Sequence, residues 1–472
     1  MSLPRILAVA FLLIATPCGL LAASDDTAAR SARPNILLVV ADDLGWADVG
    51  WHDSQFRTPQ LDQLVKTGVE LDRHYVQPVC SPTRTALMSG RWTGRFGPHV
   101  LQPTNLRAFE PGTPILPVVL KQAGYATCMA GKWHLGSRPE WGPNQFGFDH
   151  SYGSLTGAVD PWTHQYRHGV WIDTWHRDGK IFHEDGNATE LVAKQVVEWI
   201  RTQPEPWFVY VPFHAVHIPV DAPDEYKRPW AEAMLADDPA KNESLRRMAS
   251  FVGQLDAKVG EFVRALDDTG RRERTLIVFT SDNGGKLKGD NPYVGKVPGT
   301  PALSSNKPLR GEKAGLFEGG IRVSAFANWP GKLAPRKVTA PLHAADWMPT
   351  LIKLAGAQPP SGVKFDGQDA WPALNGDQPA PRTIYIPLPQ SWTVLRDGWK
   401  LIAHAGKNAT GPDKATAEGN RFELYHVETD PSETEDLAAS EPQRVAEFKA
   451  LLAELRRGDR DDLPVDLRGI KD

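Results

Sequence analysis

The chain has 472 residues, 41% of them hydrophobic, enough for a large buried core and for more than one ordinary domain. Lys and Arg number 53 against 57 Asp and Glu, a formal charge of −4 with no long like-charge block; this excludes a nucleic-acid arm and obliges any anionic ligand to be met by local cations. Gly (41), Pro (40) and Trp (16) are plentiful, a composition that suits a globular enzyme with ordered loops and excludes a coiled coil or a disordered chain.

Residues 1–23 place Arg5 before an apolar run that closes on the small residues Ala22 and Ala23, the pattern of a cleavable signal and hence of a secreted or periplasmic protein. The run is shorter than the roughly 20 apolar residues of a membrane span, and no later segment is apolar enough, so no stable membrane insertion is expected. Cys18 follows Pro17, a poor context for lipid attachment. PNILLVVADDLG reads as a buried strand, Ile36 to Val40, running into a polar turn. Asp42 and Asp43 thus stand at the carboxyl end of a core strand, where open α/β sheets place their ligands.

TPQLDQLVKTGVELDRHY predicts an amphipathic helix capped by Thr58, with Leu61, Leu64 and Val65 inward. ILPVVLKQAGY predicts a helix, and ATCMAGKWHLG a strand leading to Lys132 and His134. ATELVAKQVVEWIRTQ is again a helix, PWFVYVPFHAVHIP a strand leading to His214 and His217, and MASFVGQLDAKVGEFVRALDDTG a long helix. TLIVFTSDNGG is a strand opening onto Asp282 and Asn283, and DWMPTLIKLAGA a helix. This alternation predicts an α/β catalytic domain over residues 34–374, with a mixed, mostly parallel central sheet flanked by helices. Over residues 375–472 three strands, TIYIPL, WTVLRDGWKLIAH and RFELYHV, and the helix PQRVAEFKALLAELRRG predict a smaller C-terminal subdomain, an antiparallel sheet plus helix.

Each polar strand end taken alone reads as a solvated turn; four of them in one chain read as one crevice. Asp42, Asp43, Asp282 and Asn283 form an all-oxygen donor set, which hard divalent cations prefer, calcium before magnesium. A zinc hydrolase using the histidines stays open, although the sequence has no HExxH. Arg84, Lys132, His134 and Lys313 are the cationic groups suited to holding a tetrahedral oxyanion, unless they are ordinary surface ion pairs. Beyond the signal two cysteines remain, Cys80 and Cys128, and in a secreted protein a disulfide between them is the ordinary reading.

CSPTR, residues 80 to 84, resembles the C-x-P-x-R signature of the type I sulfatases, and TALMSGRWTGRFG continues it. ADDLGWADVG, GKWHLG, HAVHIP, SDNGG and LRGEKAGLFEGGIR are similar to that family's other active-site segments, in the same order, and within the family the arylsulfatase B (N-acetylgalactosamine-4-sulfatase) branch is the most similar. The resemblance implies an alkaline-phosphatase-like fold and a sulfuric ester hydrolase whose substrate is a sulfated carbohydrate, of galactosamine or galactose sulfate type. It implies that a separate maturation enzyme oxidises Cys80 to formylglycine, leaving Cys128 as a small buried hydrophobe. The hydrated aldehyde carries two hydroxyls, one to attack sulfur and one to expel sulfate from the sulfo-enzyme, which a serine could not do. Carried over residue by residue, Asp42, Asp43, Asp282 and Asn283 hold calcium together with residue 80. Arg84 and Lys132 hold and orient residue 80, His134 is the base for sulfate release, and His217 and Lys313 contact the sulfate and are the two candidates for protonating the leaving alcohol.

The rivals are a phosphatase, phosphodiesterase or phosphonate hydrolase of the same superfamily, and a glycan-binding protein without catalysis. The cysteines of animal arylsulfatase B disulfides are missing, which fits a bacterial enzyme. Trp162, His164, Tyr166 and Trp171 could stack on a sugar or simply pack. Asn187, Asn242 and Asn408 stand in glycosylation sequons.

Overall fold

The computed structural model describes residues 33–166, 172–287, 304–406 and 414–470; the signal segment, Trp171 and Asn408 lie outside them. The strand Asn35–Ala41 sends Ile36, Leu38 and Val40 into one apolar core and Leu37, Val39 and Ala41 into another. A strand buried on both faces has no polar side, so its sequence is a continuous apolar run. Trp207–Pro212 and Thr275–Ser281 pair with it in parallel, and Ala126–Lys132 and His150–Ser154 extend the parallel set. Shorter strands complete a ten-stranded sheet among the described residues, including the antiparallel Ala325–Asn328 and Trp175–Arg177. Helices Leu116–Gln122 and Trp347–Leu354 cover one face, and Ala188–Thr202 and Pro239–Asp268 the other. Because the central strands run parallel, Ala41, Lys132, Pro212 and Ser281 all end at one edge of the sheet.

Two local expectations are corrected. The helix after Thr58 spans only Pro59–Lys66; Val69–Leu71 and His74–Tyr75 are strands, paired with Ala325–Asn328 and Arg322–Val323. Thr58 occupies the cap position, but its hydroxyl accepts from the Gly50 N–H and donates to Asp62 Oδ1 at 2.7 Å, so it is not free to cap the helix. Near the C-terminus four strands form the small antiparallel sheet, since WTVLRDGWKLIAH folds back on itself at Asp397 and Gly398. Both residues have positive φ, 50° and 79°, the conformation that an Asp-Gly pair supplies to a tight hairpin. The helix Pro442–Arg456 packs Phe448 and Leu452 against this sheet.

A fully buried charge cluster ties the small sheet to the large one. Lys400 Nζ lies 3.0 Å from Glu318 Oε1 and 2.8 Å from Glu433 Oε1, and Tyr75 donates to Glu318 Oε2 at 3.0 Å. Lys400 belongs to the small sheet, Glu318 to the segment that carries Lys313, and Tyr75 to the chain entering Cys80, so one cation fixes three segments.

His74 and His343 are buried beneath this junction, and the Trp347 indole N–H donates to His74 Nε2 at 3.0 Å, which leaves that nitrogen no proton. Burial lowers His74 to about 4 and His343 to about 3, from 6.5. Both stay neutral in the fold yet take up protons in the unfolded chain, so stability is complete above about pH 6.5 and is lost as pH falls toward 4. Each adds a slope of up to about 1.4 kcal/mol per pH unit in that window. The urea midpoint is expected to drop between about pH 7 and pH 5, and His343→Gln to show the smaller drop.

Candidate active site

The crevice forms where the parallel strands end. Asp42 and Asp43 follow Ala41, with Asp43 at φ 62°; Lys132 closes its strand; Asp282 and Asn283 follow Ser281. The loop with His214 and His217 is clasped to the first of these turns, Asp42 N–H donating to Ala215 O at 3.0 Å and Val216 N–H to Asp42 O at 2.8 Å. Cys80 opens the helix Cys80–Ser89, all ten residues of which are buried, and Arg84 lies one turn on along the same face. The Thr83 hydroxyl accepts from Gln77 N–H (2.9 Å) and donates to Gln77 O (3.1 Å), fixing how the chain enters that helix.

Acids and bases alternate around the crevice. Arg84 donates to Asp282 Oδ2 through Nη2 (2.7 Å) and Nε (3.1 Å), and to Lys132 O at 2.8 Å. Lys132 Nζ is 2.5 Å from Asp42 Oδ2. Lys313 Nζ is 2.5 Å from Asp43 Oδ1, which also accepts from Asn283 Nδ2 at 2.7 Å. Burial works against ionised Asp43, but the Lys313 charge and the hydrogen bonds from Lys313 and Asn283 hold its carboxyl well below the usual range. Burial and the neighbouring Asp42 charge push Asp282 up to about 6. Burial likewise opposes the charge of Lys313, yet Asp43 holds it firmly protonated.

The histidines are neutral. Burial lowers His217 to about 3; its Nδ1, 2.6 Å from Ile218 O, carries the proton, so Nε2 faces Asp43 Oδ2 at 3.7 Å without one. Burial and then the Lys132 charge push His134 far down, and its Nδ1 is buried without a hydrogen-bond partner. His214 lies beneath the crevice, its Nε2 2.7 Å from Ser154 Oγ, as a structural residue would. Cys80 and Cys128 are both buried and unpaired, so the disulfide reading fails. Burial pushes the Cys80 thiol up, which leaves an unmodified Cys80 protonated and a poor nucleophile.

Two buried oxygens in the crevice, Asp42 Oδ1 and Asn283 Oδ1, have no hydrogen-bond donor. Donor atoms of Asp42, Cys80 and Asp282 lie within 4.8 Å of one another, as do those of Asp42, Asp43 and His217. Orphaned oxygens among three carboxylates in a dry site fit a hard divalent cation. With three acids balanced by Arg84, Lys132 and Lys313, such an ion leaves net positive charge to hold an anion.

That anion has a place. A cleft of about 100 Å³ is lined by Asp43, Cys80, His134, His217 and Lys313. Pro103, Gly157, Ala158, Tyr166, Ile218 and Lys286 complete its walls. Pro103 and Gly157 carry no chemistry to signal them in the sequence, but Lys286 stands three residues after Asn283 and was legible there. Of the aromatic segment, Tyr166 reaches the cleft, whereas His164 packs on Trp175 with ring centroids 4.3 Å apart and bonds Gly186 O at 2.9 Å. Two of the sequons are structural: Asn187 Oδ1 accepts from Thr189 N–H, and Asn242 Oδ1 from Leu235 N–H at 2.6 Å, both residues buried.

A doubly covered, mostly parallel sheet with a charge-lined cleft at its strand ends defines a hydrolase of anionic esters. The family model described as "Sulfatase" matches residues 34–357. Arylsulfatase J of Mus musculus is 30% identical, over 93% of this chain and 77% of its own length. N-acetylgalactosamine-6-sulfatase of Canis lupus familiaris is 31% identical, over 85% of this chain and 81% of its own. The solved structure of Ps i-CgsB in complex with k-i-k-neocarrahexaose is similar at a TM-score of 0.77 and 28% identity, covering 91% of this chain and 94% of that one. The chain belongs to the type I sulfatase family, the sulfuric ester hydrolases of alkaline-phosphatase-like fold.

Gly157 makes the room His134 needs: a Cβ there would lie 2.2 Å from His134 Nε2. Gly157→Ala is expected to displace the imidazole and cut kcat on the order of 100-fold, the scale of a misplaced catalytic group, while the thermal midpoint stays near that of the wild type. Steady-state kinetics beside a melting curve check it.

Proposed function

We propose that the protein is a secreted sulfatase that hydrolyses sulfate monoesters of sulfated carbohydrates, of galactosamine or galactose sulfate type, close in kind to the arylsulfatase B branch. The observation that carries this is the charge balance of the crevice: three acids and three bases, with orphaned oxygens at Asp42 and Asn283. Relatives named for N-acetylgalactosamine sulfate and a neighbour solved with a carrageenan oligosaccharide support the sugar class.

Calcium, with magnesium as the alternative, would be held by Asp42, Asp43, Asp282 and Asn283 together with residue 80, and supplies charge neutralisation for the bound ester. Formylglycine at position 80, made by a maturation enzyme, supplies the nucleophilic hydroxyl and a second one for sulfate release. Everything else falls to side chains already in place. Arg84 and Lys132, locked to Asp282 and Asp42 and buried behind the cleft walls, orient residue 80 and set positive charge beneath the anion's place. His134, neutral and with Nδ1 unpartnered, is the base that takes a proton from residue 80 as sulfate departs. His217 and Lys313 line the cleft beside residue 80 and contact the sulfate; with His217 Nε2 bare of a proton, Lys313 is the group that gives the leaving alcohol oxygen its proton.

The test is sulfate release from galactosamine and galactose sulfates by matured protein, set against phosphate release from the matching phosphate esters. Turnover is expected for the sulfates at a much higher rate, lost in Cys80→Ala and in Asp282→Ala, and lost on chelation with recovery on added calcium. A faster phosphate ester, or full activity in Cys80→Ala, would contradict the reading.

A further inference from the structure

Asn306 does not line the cleft, yet it is buried, 2% exposed, against three of the loops that build the crevice. Its carboxamide makes four hydrogen bonds, the full complement of a group with two N–H bonds and two lone pairs. Oδ1 accepts from Gly285 N–H at 2.9 Å and from Trp46 N–H at 3.4 Å, and Nδ2 donates to Gly285 O at 2.9 Å and to Gly311 O at 3.1 Å. Every partner is backbone, and every one stands close in sequence to a residue of the crevice. Trp46 comes three residues after Asp43, Gly285 two after Asn283, and Gly311 two before Lys313.

The same three loops converge on the other side. Asp43 Oδ1 is the atom that Lys313 Nζ reaches at 2.5 Å and Asn283 Nδ2 at 2.7 Å. Asn306 thus ties from behind, through backbone, the loops whose side chains meet in front at one carboxylate oxygen. Its own place is fixed as well: Asp48 accepts from Ser305 N–H at 2.8 Å and from Gly45 N–H at 2.9 Å, and Ala47 N–H donates to Ser305 O at 2.7 Å. The packing leaves no slack, since a Cβ on Gly285 would lie 2.8 Å from Gly45 Cα.

We infer that Asn306 is a positioning residue of the crevice: one buried amide sets the spacing of the Asp43 turn, the Asn283 turn and the Lys313 segment, and thereby holds the oxygen donors of a divalent cation in register. The inference rests on the metal reading for what these loops hold, and on the hydrogen bonds alone for how they are held.

The experiment is calorimetric titration of the full chain with calcium chloride. Asn306→Ala is expected to weaken binding about 10- to 100-fold, the scale for removing a group that orients a metal's ligands. The comparison is Asn328→Ala. Asn328 is fully buried too, and its Nδ2 donates to Leu64 O at 2.7 Å and to Thr67 Oγ1 at 2.9 Å, but it pairs with Ile277, whereas the crevice lies at the Ser281 end of that strand. This second variant is expected to lose thermal stability and keep the wild-type affinity. Wild-type affinity in Asn306→Ala, or an equal loss in both variants, would overturn the role. Should Asn306→Ala not fold, Asn306→Asp, which keeps the volume and the acceptor but gives up the two donors, takes its place under the same outcomes. Should the wild type bind no calcium, the metal reading fails and amide hydrogen exchange decides how the loops are held. Faster exchange in the Asn306 variant at Trp46, Gly285 and Lys313 together, with none of it in Asn328→Ala, sustains the role; unchanged exchange at any of the three overturns it.

Discussion

Three carboxylates and three cations share one water-poor crevice, and the rest of the molecule serves that constraint. Any of the six, buried alone, would cost several kcal/mol. Each is instead matched: Asp42 with Lys132, Asp43 with Lys313, Asp282 with Arg84. The matching is incomplete by design of the backbone, since Asp42 Oδ1 and Asn283 Oδ1 remain without donors. A neutral cluster with unsatisfied oxygens is one that could hold a divalent cation and, with it, would attract an anion. The buried histidines then stay uncharged beside it, available to accept protons rather than to repel the ion.

The scaffold makes this arrangement rigid. Parallel strands bring four polar turns to a single edge, and the helix of Cys80 and Arg84 is sunk wholly in the core. The small C-terminal sheet contributes Lys400, whose buried bonds to Glu318 and Glu433 hold the segment that carries Lys313. The sheet far from the cleft in sequence is thus coupled to it through one cation.

Much of this was legible in the residues. Apolar runs ending in ADD, HAVH and SDN gave the central strands and the acids and amide at their ends, because a strand buried on both faces leaves an unmistakable run and its polar ending is conspicuous. What escaped notice obeys tertiary packing. Thr58 is the exception: it sits where a cap belongs, yet its hydroxyl is taken by two neighbours in sequence, Asp62 one turn on and Gly50 in the preceding loop, whose competition the capping pattern does not register. The hairpin at Asp397 and Gly398 was signalled by its Asp-Gly pair but masked by the apolar residues on both sides. Gly157 and Pro103 matter through the space they leave or fill, which no single-residue property announces.

The central claim is that Cys80, buried and protonated as a thiol, is not the group that works. Mass spectrometry of the proteolytic peptide containing Cys80, from catalytically active protein made in a host with the maturation enzyme, tests it most directly. The account predicts a peptide lighter by about 18 Da, the replacement of the thiol by an aldehyde. Active protein whose peptide carries an ordinary thiol throughout would contradict it.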